Sequence, residues 1–299
     1  SLRSGVPLRS LLALSATAHL FAAGVMGIEV MARAARLKAL APTLGVPLRW
    51  RTAVFSQLAA DAAGAVTPAR SGSEPAKLLS LRRDGATFGA VGALAAAEMI
   101  FEVAGLVLVS GFLTLALGAE ARLGAGVLIY AGVVAGALTL LALFARATSR
   151  EVPTTRRKLL YWWLRLGLRR RRWKALVATA QDFRRHTRRL WALRGRPIAG
   201  ALAATLLHQL ARAAVLPALL LGQLSSQELA GLSWVRIVVV PFTLLYLGAL
   251  LPPPGGGGGV EVGFAALLND TLNAQQLPAF VLWWRSWTHH ATALAGGAA

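Results

Sequence analysis

Several charged side chains sit where the sequence is otherwise apolar. Glu98 and Glu102 lie inside the apolar block 86–117, and their four-residue spacing puts both carboxylates on one face of a helix. His208 and Arg212 repeat that spacing near the middle of the apolar block 197–221. Arg285 falls in the first half of the block 279–294. A carboxylate or guanidinium at bilayer depth is costly unless it is paired, neutralised or hydrated. These groups therefore read in one of two ways. They are internal ion pairs that fix helix packing, with Glu98–Arg285 a candidate pair, or they wall a polar cavity that meets a charged substrate. His289 and His290 lie near the chain end and read as interfacial.

Two further segments carry polar groups next to flexible backbone. Residues 251–261 read LPPPGGGGGVE, and residues 67–77 read TPARSGSEPAK. Each has a proline, then Gly-x-Glu (Gly72–Glu74 and Gly259–Glu261), then a short apolar stretch. Glu74 precedes Glu98 by the same 24 positions that separate Glu261 from Arg285. Irregular backbone survives at membrane depth where protein buries it or where it lines a wet cavity. An open helix N-terminus beside Arg70 and Lys77 suits a phosphate; the alternative is ordinary surface charge. Glu261 is either a ligand or a first-turn carboxylate answering its own helix dipole. The candidate substrate-binding set is Arg70, Gly72, Glu74, Lys77, Glu98, Glu102, Arg212, Gly255, Gly256, Gly259, Glu261 and Arg285. The glycine run lacks the Gly-Lys-Ser/Thr ending of a phosphate loop. No nucleophile–base set or metal-ligand spacing stands out, so no catalytic residue, metal or cofactor is expected.

The composition says what must hold these residues. The chain has 299 residues, is 56% hydrophobic, carries a formal charge of +20 and has no cysteine. Its mean hydropathy is +0.57. Several apolar blocks approach the roughly 20 residues that a spanning helix needs. The expected fold is an all-α integral membrane protein: a polytopic helix bundle with two broken, re-entrant helices, 52–79 and 234–268. Spans are expected at 9–32, 86–117, 123–144, 197–221 and 279–294. Glu29 lies near the end of the first, with Arg33, Arg36 and Lys38 following, and Asp61 interrupts the short piece 52–67. The polar stretch 222–228 reads as a loop. More than half of the Lys and Arg lie in 146–196, which the positive-inside rule places in the cytoplasm. Within it, LLYWWLRLGL (159–168) suits a helix in the headgroup region. With 146–196 inside, the two broken helices enter from opposite faces, an inverted-topology repeat. One transmembrane domain is then divided as 1–145, 146–196 and 197–299. This topology leaves Ser1 outside, which an earlier span would relieve.

The chain resembles the lysylphosphatidylglycerol synthase transmembrane family. The resemblance rests on Pro68-Ala-Arg-Ser-Gly-Ser-Glu74 with Arg82-Arg83-Asp84-Gly85, on Ala97-Glu98-Met99 with Glu102, on Leu251-Pro-Pro-Pro-Gly-Gly through Glu261, and on Trp284-Arg285. Ser73 splits the family's Gly-Glu pair. Met99 and Glu102 stand where the family has arginine and aspartate. The resemblance implies a lipid translocase: an anionic, aminoacylated or polyprenyl-phosphate lipid moved between the leaflets of the inner membrane. It implies a stand-alone member without the soluble aminoacyl-transferase domain, and membrane lipids as partners. A separate synthase or glycosyltransferase and a second copy of the chain are the protein partners it brings into view; nucleic acid is not expected. Two other readings of the chain are an intramembrane lipid-modifying transferase and a non-transporting anchor whose basic loop docks a partner.

Overall fold

The structure is a computed structural model that describes residues 14–45, 47–117, 170–192, 194–248, 257–273 and 275–298, with a few isolated positions between them. All regular structure in these residues is helical. The elements are α1 (Ala16–Leu40), α2 (Trp50–Val66), α3 (Ser73–Arg82), α4 (Phe88–Leu117), α5 (Arg170–Trp191), α6 (Arg196–Ala213), α7 (Val215–Gln223), α8 (Ser226–Ala230), α9 (Trp234–Gly248), α10 (Gly259–Leu268), α11 (Leu277–Arg285) and α12 (Thr292–Gly297). A wide π turn, Ser286–Ala291, joins α11 to α12. The expected span 123–144, the interfacial stretch 159–168 and the candidates Gly255 and Gly256 lie outside the described residues.

α1 is the axis of the bundle. Its first turns carry Ala18, Ala22 and Met26 into an apolar core with Leu216 and Leu219 of α7, Val240 of α9, Phe264 of α10 and Trp284 of α11. Its last turns carry Ala34, Leu37 and Leu40 into a second core with Leu81 of α3, Val91 and Leu94 of α4 and Ala201 of α6. The charged turn of α1 lies between these cores. The helix begins at Ser15, whose Oγ accepts from the Ala18 N–H. The same hydroxyl donates to the Gly222 carbonyl at 2.6 Å, and the Ser15 N–H donates to the Gln223 side chain. A side chain at Gly222 would strike the Ala18 backbone, so only glycine lets α7 come this close.

Three boundaries differ from the sequence expectation. α1 does not stop at residue 32; it runs on through Arg33 and Arg36, which are buried in the bundle. The block 197–221 is not straight: α6 and α7 meet at 45°. Pro217 sits in the first turn of α7, where it has no N–H to give to the Ala213 carbonyl, and a missing bond of this kind bends a helix. The loop 222–228 is largely helical, because Ser225 and Glu228 form a reciprocal capping box that starts α8.

Among the described residues, one helix, Phe88–Phe112, is long and apolar enough to cross a membrane alone, and α6 with α7 passes the same test as a bent pair. α4 turns Val107, Leu108, Phe112 and Leu115 outward, apolar groups that hydrocarbon hosts at lower cost than water.

Candidate functional site

The charges on α1 recur at 29, 33 and 36, a spacing that keeps one face of the helix. Arg33 donates to Glu29 one turn earlier (3.0 Å) and with both amino groups to Asp61 on α2 (3.1 and 2.6 Å). Arg36 reaches the two carboxylates of α4: Nη1 lies 2.5 Å from Glu102 and Nε 3.4 Å from Glu98. Glu98 also accepts from Lys77 on α3 (3.0 Å) and from Gln57 on α2 (3.3 Å). Lys77 holds Glu74 at 3.1 Å, and Arg70 holds Asp61 at 2.9 Å. From α6, Gln209 donates to the carbonyl and carboxylate of Glu102, and Tyr246 of α9 donates to the same carboxylate. Glu29, Asp61, Glu98, Arg33, Arg36 and Lys77 are all buried.

His208 stands between two acids from different helices. Its Nε2 lies 3.2 Å from Glu102 Oε1. Its Nδ1 lies 3.1 Å from Glu29 Oε1, but without hydrogen-bond alignment, so neither of those two atoms has a hydrogen-bond partner. Arg212, one turn on, brings Nη2 to 3.4 Å from the same Glu29 oxygen, and its Nε is unbonded. Among the described residues the network holds five carboxylates (Glu29, Asp61, Glu74, Glu98, Glu102) and five permanent cations (Arg33, Arg36, Arg70, Lys77, Arg212). It is balanced without His208.

A second, separate arrangement lies at the far end of the chain. Arg285 donates through Nε to Glu261 at 2.8 Å. The pair borders a groove of about 450 Å³ whose other walls are Ala265, Leu277, Pro278, Val281, Leu282 and His290. Gly258, at φ 81°, opens α10, and no side chain caps that helix. The π turn follows Arg285, packs against α1 and α2, and carries the buried His289. α12 packs on α2, where a side chain at Gly296 would strike the Leu58 carbonyl. The two arrangements thus approach each other across the last helix.

The profile of a family described as the lysylphosphatidylglycerol synthase TM region matches residues 3–296. The chain belongs to this family. Membership places it in a membrane and gives it a lipid-related role. No curated protein matches the chain.

The structure sorts the candidate residues of this family member into two groups. Arg70, Glu74, Lys77, Glu98, Glu102 and Arg212 fall in the network, and Glu261 and Arg285 in the groove. Three expectations are corrected. Glu98 pairs with Lys77 and Arg36, not with Arg285, because α3 and α1 lie against α4 and supply both cations. Lys77 is not an open cation awaiting a phosphate: it is buried between two acids. The open N–H of Gly72 is taken by the Thr67 hydroxyl at 2.9 Å. Glu261 lies in the first turn of α10, as one of its two readings requires, but makes no capping hydrogen bond, and its carboxylate turns to Arg285. Gly259 begins α10 as the segment's last glycine.

The equal 24-residue spacing ends in a contact in both places. Glu261 meets Arg285 directly, and Glu74 meets Glu98 through Lys77. Glu29, Arg33 and Arg36 were not among the candidate residues, because in the sequence the two arginines lie just past the end of the apolar block 9–32. Their shared helical face with Glu29 was the signal that could have found them.

Proposed function

We propose that this protein carries a lipid with an anionic, aminoacylated or polyprenyl-phosphate headgroup between the leaflets of the cytoplasmic membrane, without modifying it. One observation carries the reading: a charge-balanced polar network runs through the bundle from α2 and α3 to α6, at the depth of its apolar cores. Structural pairing alone would need far fewer buried ions, since replacing buried ion pairs by packed hydrophobes is often neutral or stabilising. A ladder of paired charges instead lets a headgroup exchange one partner for another without leaving any ion bare. The breaks around residues 67–72 and before Gly259 supply two helix openings, and the paired 24-residue contacts support relating them as inverted repeats. The basic segment 146–196 faces the cytoplasm in this scheme, and the groove at Glu261 and Arg285 takes the headgroup on the opposite side.

The test is lipid movement in proteoliposomes. Fluorescent phosphatidylglycerol, an aminoacylated derivative and a polyprenyl phosphate are each scored by accessibility to a membrane-impermeant quencher. Faster exchange than in protein-free vesicles is expected for at least one of them. Equal rates for all three sink the proposal, and a new lipid product on incubation would favour a transferase.

A further inference from the structure

We propose that one end of the bundle, built from the start of α2, the α3–α4 turn and the outer side of α5, is a docking surface for anionic phospholipid headgroups of the surrounding leaflet. The proposal needs only the membrane placement of the chain and stands apart from the translocase reading.

α5 is fixed to the bundle. Phe183, His186 and Leu190 recur at spacings that share one helical face. Phe183 crosses α4 at two glycines: a side chain at Gly89 would strike the Phe183 backbone, and one at Gly92 would press on its ring. His186 is buried, and Leu190 packs on the second apolar core. Thr87, just before α4, donates its hydroxyl to Asp182. Arg185, Arg188 and Arg189 turn away from this contact and are exposed.

Other chain ends meet α5 at the same level. The turn Ala41–Leu44 after α1 lies against both α5 and α4, and a side chain at Gly45 would touch Arg189. α2 starts with Arg49, Trp50 and Arg51, all exposed, and α3 ends at Arg82 with Arg83 next, both exposed. The apolar neighbours of these arginines, Leu48, Leu81 and Ala86, belong to the second core. The arginines therefore cover the outer end of that core.

Charge and aromatic placement name the occupant. Arg49, Arg51, Arg82, Arg83, Arg188 and Arg189 outnumber the neighbouring acids Asp84 and Asp182, which are half-buried. Asp182 already accepts from Thr87 and faces His186. Two rings stand exposed among the arginines. Trp50 is 49% exposed and has Lys38 over its ring, and Phe88 is 44% exposed with the Arg82 guanidinium 3.8 Å from its centroid. A ring with a cation beside it suits headgroup depth, where the ring meets acyl chains and the cation meets phosphate. Phe88 also opens the helix that is long and apolar enough to cross a membrane alone. The face thus lies where that helix enters the bilayer, and headgroups reach it before a soluble polyanion does. Each arginine held there gains from a negatively charged leaflet, and salt screens the gain.

The experiment uses the full chain in nanodiscs. The chain has no cysteine, so Ala192→Cys, exposed just past α5, places a single fluorophore at this face. Discs of phosphatidylcholine carry a small fraction of chain-nitroxide phosphatidylglycerol or, separately, of phosphatidylcholine with the same nitroxide. The anionic lipid is expected to quench at least about twofold more strongly in about 0.1 M salt, and the two lipids to converge in about 1 M salt. In the triple variant R83E/R188E/R189E the preference is expected to vanish, with circular dichroism and gel filtration checking its fold. The wild-type salt series decides alone if that variant does not fold. Equal quenching by the two lipids at low salt overturns the proposal, as does a preference that survives high salt or the folded triple variant. Equal quenching together with retention of the discs on a polyanion resin assigns the face to a soluble acidic partner and also overturns it. Each of these results leaves the translocase reading to its own test.

Discussion

The network around α1 and the groove beside α11 use the same chemistry, carboxylates against guanidinium groups, under opposite conditions. In the network, Glu29 is fully buried, and Arg33 divides its donors between it and Asp61. In the groove, the Glu261 side chain is 38% exposed and meets one arginine. A buried charge that loses its partner stays behind without solvent, at a cost of about 3–5 kcal/mol. An exposed one is rescued by water, and such pairs are worth about 0–1 kcal/mol. The first arrangement therefore tolerates the loss of a partner poorly. The second can open and close at little cost, as the proposed translocation would ask of a headgroup port.

That contrast can be broken experimentally. The largest effect is expected from Arg33→Met, which takes from Glu29 and Asp61 the cation they share and leaves each with one more distant or more exposed partner, Arg212 and Arg70. Chemical unfolding in micelles should show a loss of about 3–5 kcal/mol, and a loss under 1 kcal/mol would show that water reaches this part of the network. Lys77→Met should cost less, about 1.5–3 kcal/mol, since Glu98 keeps Arg36 and Gln57. Adding Glu98→Gln to it should cost less than the two single changes summed, because both remove the same contact. Glu261→Gln should lower stability by about 1 kcal/mol or less while slowing lipid exchange in proteoliposomes. A large stability loss there would erase the distinction between the two regions. The smallest effect concerns backbone. Arg70 sits at φ 55°, in the left-handed region, where a side chain costs roughly 1–2 kcal/mol. Arg70→Gly should thus be more stable than Arg70→Ala by about 1 kcal/mol, although both lose the contact to Asp61.

Much of the helical framework could be read from the chain. The apolar block at 86–117 became α4, because few alternatives exist for an uninterrupted apolar run of that length. Glu98 and Glu102 fell on one face, as their spacing requires, and Arg36 bridges them. The bend at Ala214 is marked in the sequence by Pro217, which the expectation of a single span over 197–221 did not take into account. It matters here because α6 runs straight into α7. Glu228 looked like part of a polar loop, and its distance of three residues from Ser225 was the capping signal.

Pairing was not legible. Nothing in the sequence tells Glu98 to choose Lys77 and Arg36 over Arg285. That choice depends on which helices lie beside α4, and residues 62 and 21 positions away supply the cations. The same holds for His208, whose two acids come from α1 and α4 and meet only across α6. By itself the sequence determined the all-helical fold, the membrane-family membership and the places where glycine and proline interrupt the helices, because these follow from local composition and spacing. The tertiary structure decided which buried charges balance one another, since a charge in a poorly solvated interior must be answered by whichever neighbour the packing brings within a few ångströms.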